Sequence, residues 1–336
     1  MAESQLDVLS VGNVVNDIFI RLLDDQAKLE DSAHGPTISM PYGAKVPFDF
    51  SEKIVAVGNA PNAAVAFSRL GLKSGLASNV GEDDDGRDII KQLQKSRVDT
   101  RFVHINPGKK SQTHFVLWYK EDRTILVRDQ IDYEYHWPRF RIIDLPKWIY
   151  FSSVGKSAVE YDDAITHWLE AHPAIKLALQ PGTFQIQTGT ERLKRLYART
   201  QVLAVNREEA ATIVGGHHDN VHALLDKLHE LGPKVVVISD GHAGAYASDG
   251  VNRYKMPIYP DPKPPFERTG AGDAFTSTFV AAMIHGADIA GALLWAPINP
   301  MSVVQKVGAQ AGLLTQKEIE HFLRIAPESY HPERLR

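Results

Sequence analysis

Between residues 147 and 248 the chain repeats one pattern: a short, almost wholly apolar segment, then a longer amphipathic one. "WIYFSSV", "IKLALQ", "QVLAVN" and "KVVVISD" read as buried strands. Helical periodicity runs between them at about 160–171, at about 189–199, through "REEAATIVG" and at 220–231. A strand that is apolar on both sides must be covered on both sides, and helical connections make successive strands parallel. This predicts an α/β fold, a three-layer α/β/α sandwich around a mostly parallel sheet. The chain opens in the same way. Val8 to Val11 form a strand ending at Gly12, and a helix from Pro61 carries Ala63, Ala66, Phe67 and Leu70 on one face before Gly71 closes it. The strand "SGLASNVG" and the helix "GRDIIKQLQKS" follow, and "GAYAS" and a long helix after Gly272 complete the set.

Two stretches break the pattern. Residues 24–50 are polar and punctuated by Pro and Gly, and "THFVLWYKEDRTILVRD" reads as a hairpin around a Lys-Glu-Asp turn. We expect a small separate β-layer from about 18–57 and 100–130, within one domain spanning 1–336. The net charge of −4 argues against a nucleic-acid-binding surface. No apolar run reaches the ~18 residues that span a bilayer, and the N-terminal "MAESQLDVLSVG" does not resemble a signal peptide. With no cysteines, disulfides and thiolate metal sites are excluded, which fits a cytoplasmic enzyme.

The chemistry concentrates at "FERTGAGDAFTSTFV", residues 266–280. Gly270, Ala271 and Gly272 let a backbone turn its N–H groups toward an anion, and the helix that follows adds its positive end. Asp273 beside them is either an N-cap or a general base. In "NREEA", Asn206 and Glu209 have capping-box spacing, yet they also sit at the end of a strand, where they could hold magnesium through water. Asn62 is a helix cap or an amide for a hydroxylated ligand, next to Gly58 at a strand-to-helix junction. Asp17 is a turn former or an acceptor for sugar hydroxyls, and the turn from Ser239 through Gly241 to Gly244 carries a nucleotide or merely joins strands. Gly155-Lys156-Ser157 fails the Walker A pattern, because Tyr150 stands where its first Gly belongs. His217 and His218 lie in a polar loop and read as solvated.

Taken in order, "VGNAPNAAVAFSRLG", "GEDDDGRDI", "NREEA", "RTGAGDAF" and "VGAQ" resemble the signature segments of the ribokinase/PfkB family of carbohydrate kinases. The resemblance covers almost the whole chain and implies a ribokinase-like sandwich with a β-sheet lid. It implies an ATP-dependent kinase that transfers the γ-phosphoryl group to a sugar hydroxyl, with Asp273 as base and Gly270, Ala271 and Gly272 as the anion hole. Asp17, Gly58 and Asn62 would hold the acceptor, with the hairpin at 113–127 closing over it. Asn206 and Glu209 would organise Mg2+ on ATP, and Ser239, Gly241 and Gly308 would line the nucleotide. Where the family has Asp before the signature this chain has Glu267, followed by Arg268, at the border of the family's monovalent-cation site; K+ activation is left open. Val57 replaces a glycine at the acceptor floor. "LALQPGTFQIQTG" looks more like nucleoside kinases of the same superfamily, which keeps a nucleoside 5′-hydroxyl as the alternative acceptor. Phe115, Trp118 and Tyr119 would then stack on a base, or else only pack the hairpin. A non-catalytic sugar- or nucleotide-binding regulator is the third reading. By analogy the lid also pairs two copies into a homodimer.

Overall fold

The computed structural model describes residues 5–32, 35–120, 122–128, 133–155, 159–215 and 220–335. Lys156, Ser157, His217 and His218 lie outside the described residues. In chain order, β1 (Val8–Val11), β2 (Val15–Leu22), β3 (Lys28–Ser32), β4 (Gly35–Ser39) and β5 (Phe48–Val57) lead into α1 (Asn59–Arg69). Next come β6 (Ser74–Gly81), α2 (Asp84–Lys95), β7 (Asp99–Asn106), and the hairpin β8 (Thr113–Tyr119) and β9 (Asp122–Leu126). The repeats follow as β10 (Trp148–Phe151), α3 (Val159–Ala171), β11 (Lys176–Leu179), α4 (Thr183–Thr188), α5 (Lys194–Arg199) and β12 (Thr200–Asn206). They continue through α6 (Arg207–Val214), α7 (Val221–Glu230), β13 (Val235–Ser239), β14 (Ala245–Ser248) and β15 (Arg253–Met256). The chain closes with α8 (Ala271–Ile284), α9 (Ile289–Trp295), α10 (Ile298–Val303), α11 (Gln316–Arg324) and β16 (Glu333–Leu335).

The main sheet has the order β16-β15-β14-β13-β12-β11-β10-β1-β6-β7. Neighbours from β13 to β7 run parallel, while β14, β15 and β16 are antiparallel. The connection from β13 to β14 is residues 240–244, too short for a helical crossover, so the sheet must turn back on itself there. Side-chain alternation along the central strands divides them between two cores. Val8, Trp148, Tyr150, Val202 and Ala204 pack under α1, α8 and α9, while Leu9, Val11, Ile149, Phe151, Leu203 and Val205 pack under α3, α5, α6 and α7. This is the expected α/β sandwich. From β1 the chain first builds outward to β6 and β7, then returns to β10 on the other side of β1. The reversal opens a crevice at the carboxyl ends of β1 and β10, where ligands of such sheets bind.

A second sheet has the order β5-β2-β8-β9, and β3 pairs only with β4. Three expectations need correction. The stretch 100–130 is not all in the small layer: β7 pairs in parallel with β6 at the edge of the main sheet. An edge strand is half exposed, and its mixed pattern hid its kinship with the buried strands. The helix expected at about 189–199 begins only at Lys194, as α5, and a separate helix, α4, precedes it and ends at Gly189, whose φ is +90°. Asp273 is not an N-cap: Gly270 caps α8 and places Asp273 in its first turn.

Phe67 of α1 is fully buried and meets the ring of Tyr150 edge-on at 5.3 Å, joining helix to sheet beneath the crevice. Phe67→Ala is expected to lower unfolding free energy by about 3–4 kcal/mol, read from the denaturant midpoint. An unchanged midpoint would show that this contact does not anchor α1.

Candidate active site

The start of α8 is set by packing as much as by propensity. Gly270 adopts φ 81°, ψ 0°, and a Cβ there would lie 2.2 Å from the Ala309 Cβ, so only glycine fits. The first intrahelical bond runs from Ala274 N to Gly270 O at 2.8 Å. The N–H groups of Gly272 and Asp273 have no backbone acceptor among the described residues. A Cβ on Gly272 would meet open space. Two N–H groups without a backbone acceptor among the described residues therefore stand at the positive end of a helix whose residues 274 to 282 are buried, a position that favours an anion.

Asp273 is half-buried, with each carboxylate oxygen held by a side-chain amide. Asn62 Nδ2 donates to Oδ2 at 2.8 Å, and Gln180 Nε2 donates to Oδ1 at 3.1 Å. Burial pushes the carboxyl above the usual carboxylate range, while bonds from Asn62, Gln180 and Asn59 pull it back toward the ionised form. The amides are themselves fixed. Gln310 Nε2 donates to Asn62 Oδ1 at 3.0 Å and to Ala56 O at 2.7 Å, and the buried Tyr150 hydroxyl donates to Gln180 Oε1. With their oxygens occupied as acceptors, Asn62 and Gln180 must turn their NH2 groups to Asp273.

Asn62, 4% exposed within α1, is thus neither a cap nor at the surface. Gly58 caps α1 at φ 119°, and a Cβ there would strike Asn13 O at 2.9 Å. Val57 is buried in β5, paired with Val15. Asp17 is buried on β2 with His114 Nδ1 3.7 Å from its Oδ1, which has no hydrogen-bond partner among the described residues. Its carboxyl is pushed up to about 6 by burial and then by Glu267, with Arg123 opposing. Glu267 is 3% exposed and accepts the Thr269 N–H at 2.7 Å, while Arg268 is exposed. Trp118 packs edge-on against Phe50 and Phe266, and the Tyr119 hydroxyl donates to Ala27 O at 2.7 Å; both serve hairpin packing.

A cleft of about 230 Å³ lies beside the start of α8, lined by Ala271, Gly272 and Phe275. Ser239, Gly241, Ala271 and Gly272 form its polar edge, and Phe275 and Met301 lie on its apolar side. Gly308 does not line it. A Cβ on Gly308 would lie 3.3 Å from the Ile54 side chain, because Gln310 draws this turn toward β5. Asn206 and Glu209 form the capping box of α6: Asn206 Oδ1 accepts Glu209 N at 2.8 Å, and Glu209 Oε2 accepts Asn206 N at 2.9 Å. Burial raises the Glu209 carboxyl, and the charge of Asp273 adds to this. Arg207 Nη1 meets Asp240 Oδ2 at 2.8 Å, tying α6 to the turn after β13.

Sequence reading missed Gln180, Tyr150 and Gln310 as site residues. Gln180 had a signal, a polar residue closing the apolar run "LALQ", the feature that singled out Asn206. Tyr150 and Gln310 had none, since one looks like core and the other like a turn.

The model of the "pfkB family carbohydrate kinase" family matches residues 50–316. The ATP-dependent 6-phosphofructokinase of Thermoanaerobacterium thermosaccharolyticum is 25% identical over 303 residues, 84% of this chain and 83% of that protein. The ribokinase of Bacillus subtilis is 26% identical over 278 residues, 81% of this chain and 89% of that protein. The structure of the Methanocaldococcus jannaschii nucleoside kinase superposes with a TM-score of 0.75 at 17% identity, covering 96% of this chain and 100% of that one. The relatives act on different acceptors and share the phosphoryl transfer. With a match across most of its length, the chain belongs to the pfkB family of carbohydrate kinases and is a phosphotransferase with an alcohol group as acceptor.

Proposed function

We propose that this protein is an ATP-dependent kinase that phosphorylates a hydroxyl of a free sugar, with Asp273 as the general base. The observation that carries the reading is the position of Asp273: a carboxylate held by two amides in the first turn of α8, directly after Gly272, which lines the cleft with Ser239 and Gly241. Transfer of a phosphoryl group to an alcohol needs a nucleophile in line, neutralised phosphate charge and a group that takes the hydroxyl proton. The acceptor hydroxyl, oriented by Asp17 and Asn62 over Gly58, donates its proton to an Asp273 oxygen as its own oxygen attacks phosphorus. The amides of Gly272 and Asp273 bind the equatorial oxygens of the transferring group, and Gly272 without a side chain lets it approach. Asn62 and Gln180 keep the carboxylate ionised and aimed.

The nucleotide would occupy the cleft beside Phe275 and Met301, against Ser239 and Gly241. Magnesium fits as a water-bound ion beside Asn206 and Glu209. Their capping bonds use Glu209 Oε2, no hydrogen bond among the described residues engages Oε1, and the neighbouring Asp273 carboxylate adds to a pair that favours a cation. Among the described residues no cluster of three acidic or histidine ligands could cage a metal directly. When bound, magnesium would neutralise phosphate charge. The small sheet is the lid of this reading, which excludes water as a competing acceptor. Its exposed Phe48, Phe115 and Leu126 support pairing of two copies.

The nucleoside reading keeps the mechanism. Trp118 and Tyr119 are consumed by packing, and Phe115, alternating with His114 along β8, projects away from Asp17. That leaves no hairpin aromatic for a base and favours the sugar. A non-catalytic binder has no need of the amide clamp on Asp273.

Initial rates of ATP consumption against pentoses, hexoses, keto-deoxy acids and nucleosides test the reading. Turnover is expected with a sugar; turnover with nucleosides alone would replace it, and none with any acceptor would favour a binder. Asp273→Asn is expected to lower kcat by roughly two orders of magnitude or more with the fold intact, and a near-wild-type rate refutes the base. Asp17 must be ionised to accept a hydroxyl, so acceptor KM is expected to rise as pH falls through about 6. The Asp17→Asn variant should lose that inflection; its persistence would assign the titration elsewhere.

A further inference from the structure

We propose that Arg123 of the lid hairpin is a positioning residue for the phosphoryl site. Acceptor binding beside Asp17 closes Arg123 onto Glu267, and Glu267 passes that closure to the loop carrying Gly270. The inference rests on the kinase reading above. Trp118 and Arg123 are cross-strand partners in the β8–β9 hairpin and share one face. They reach two consecutive residues before the loop. The Trp118 ring meets Phe266 edge-on at 5.0 Å, and Arg123 Nε stands 3.8 Å from Glu267 Oε1. That same oxygen accepts both the N–H and the hydroxyl of Thr269, and Gly270 is next. The loop has a fixed back wall, because the N–H groups of Phe266 and Glu267 donate to Val304 O and Gly270 abuts Ala309. A push from the hairpin is therefore met by a rigid surface and must be taken up by the loop.

The Arg123–Glu267 contact is poised and unmade. Its gap is somewhat under 1 Å beyond hydrogen-bond reach. Arg123 Nε and Glu267 Oε2 are both buried, and neither has a hydrogen-bond partner among the described residues. A desolvated donor and a desolvated acceptor side by side are unfavourable apart and favourable together. The other ion pair of Arg123, to the exposed Asp122 at 3.2 Å, is a surface contact too weak to hold it back. Asp17 belongs to the same charge cluster, raised by Glu267 and relieved by Arg123. An acceptor hydroxyl donated to Asp17 takes over that relief and leaves the guanidinium to Glu267.

The test compares wild type, Arg123→Gln, Glu267→Gln and the double variant, as full chains with MgATP and the acceptor found in the panel. Each single change should lower kcat about 5- to 100-fold with KM for ATP nearly unchanged. The double variant should be no worse than the poorer single one, because both remove the same link. Wild-type kcat in either single variant, or losses that multiply in the double one, would overturn the link. If Arg123→Gln does not fold, Arg123→Lys, which keeps the charge and removes Nε, should show the same fall in kcat. Amide hydrogen exchange gives an independent readout: adding the acceptor should slow exchange at Thr269 and Ala271 in the wild type but not in Arg123→Gln, with Phe279 unchanged in both. If no acceptor is turned over by the wild type, the kinase reading fails; if an acceptor is turned over but leaves wild-type exchange at Thr269 unchanged, the link alone fails.

Discussion

A general base must keep its charge while being taken out of water, and the geometry around Asp273 answers that requirement. Desolvation favours the neutral carboxyl, so each oxygen needs a donor that does not also carry a charge able to quench its basicity. Two side-chain amides meet this condition better than an arginine or lysine would. Asn62 comes from α1 and Gln180 from the end of β11, and each is locked by a further bond from Gln310 or Tyr150. The Asp273 carboxylate is thus where a helix of one face, a strand of the sheet and the C-terminal turn around 310 converge. Displacing any of the three would misaim it.

The same convergence explains why glycine is required at some positions and only permitted at others. Gly270 is forced by its φ of 81° and by Ala309, and it decides where α8 begins, hence where the free N–H groups point. Gly272 has space around it, and its bareness matters for what can approach. The sheet supplies the frame. Reversal of strand order between β1 and β10 opens the crevice; Gln180 follows the end of β11, and Asp17 stands on β2 of the small sheet, which the chain enters soon after β1. The small sheet meets the segment before Gly270 through the Trp118–Phe266 contact, with Arg123 standing 3.8 Å from Glu267 beside it.

Much of this was legible in the residues. Apolar runs such as "VVVIS" can only be central strands, and "GAGD" at the head of an apolar helix can hold an anion; both are local statements of chemistry and period. The edge strand β7 was hidden because half-exposed strands and loops share a mixed composition. Gly308 was read as lining the nucleotide, whereas Gln310 draws its turn the other way, toward Ala56 and Asn62.

By itself the sequence determined the layer architecture, from apolar runs and helical periods, and the family, from five segments in order along the chain. Only the tertiary structure decided which amides clamp Asp273 and which lid residue meets Glu267. Asn62 and Asp273 are 211 positions apart, Gln180 and Asp273 are 93 apart, and no local rule relates residues at such separations. Their meeting is a property of strand order and helix packing, which fix distances that composition and periodicity never see.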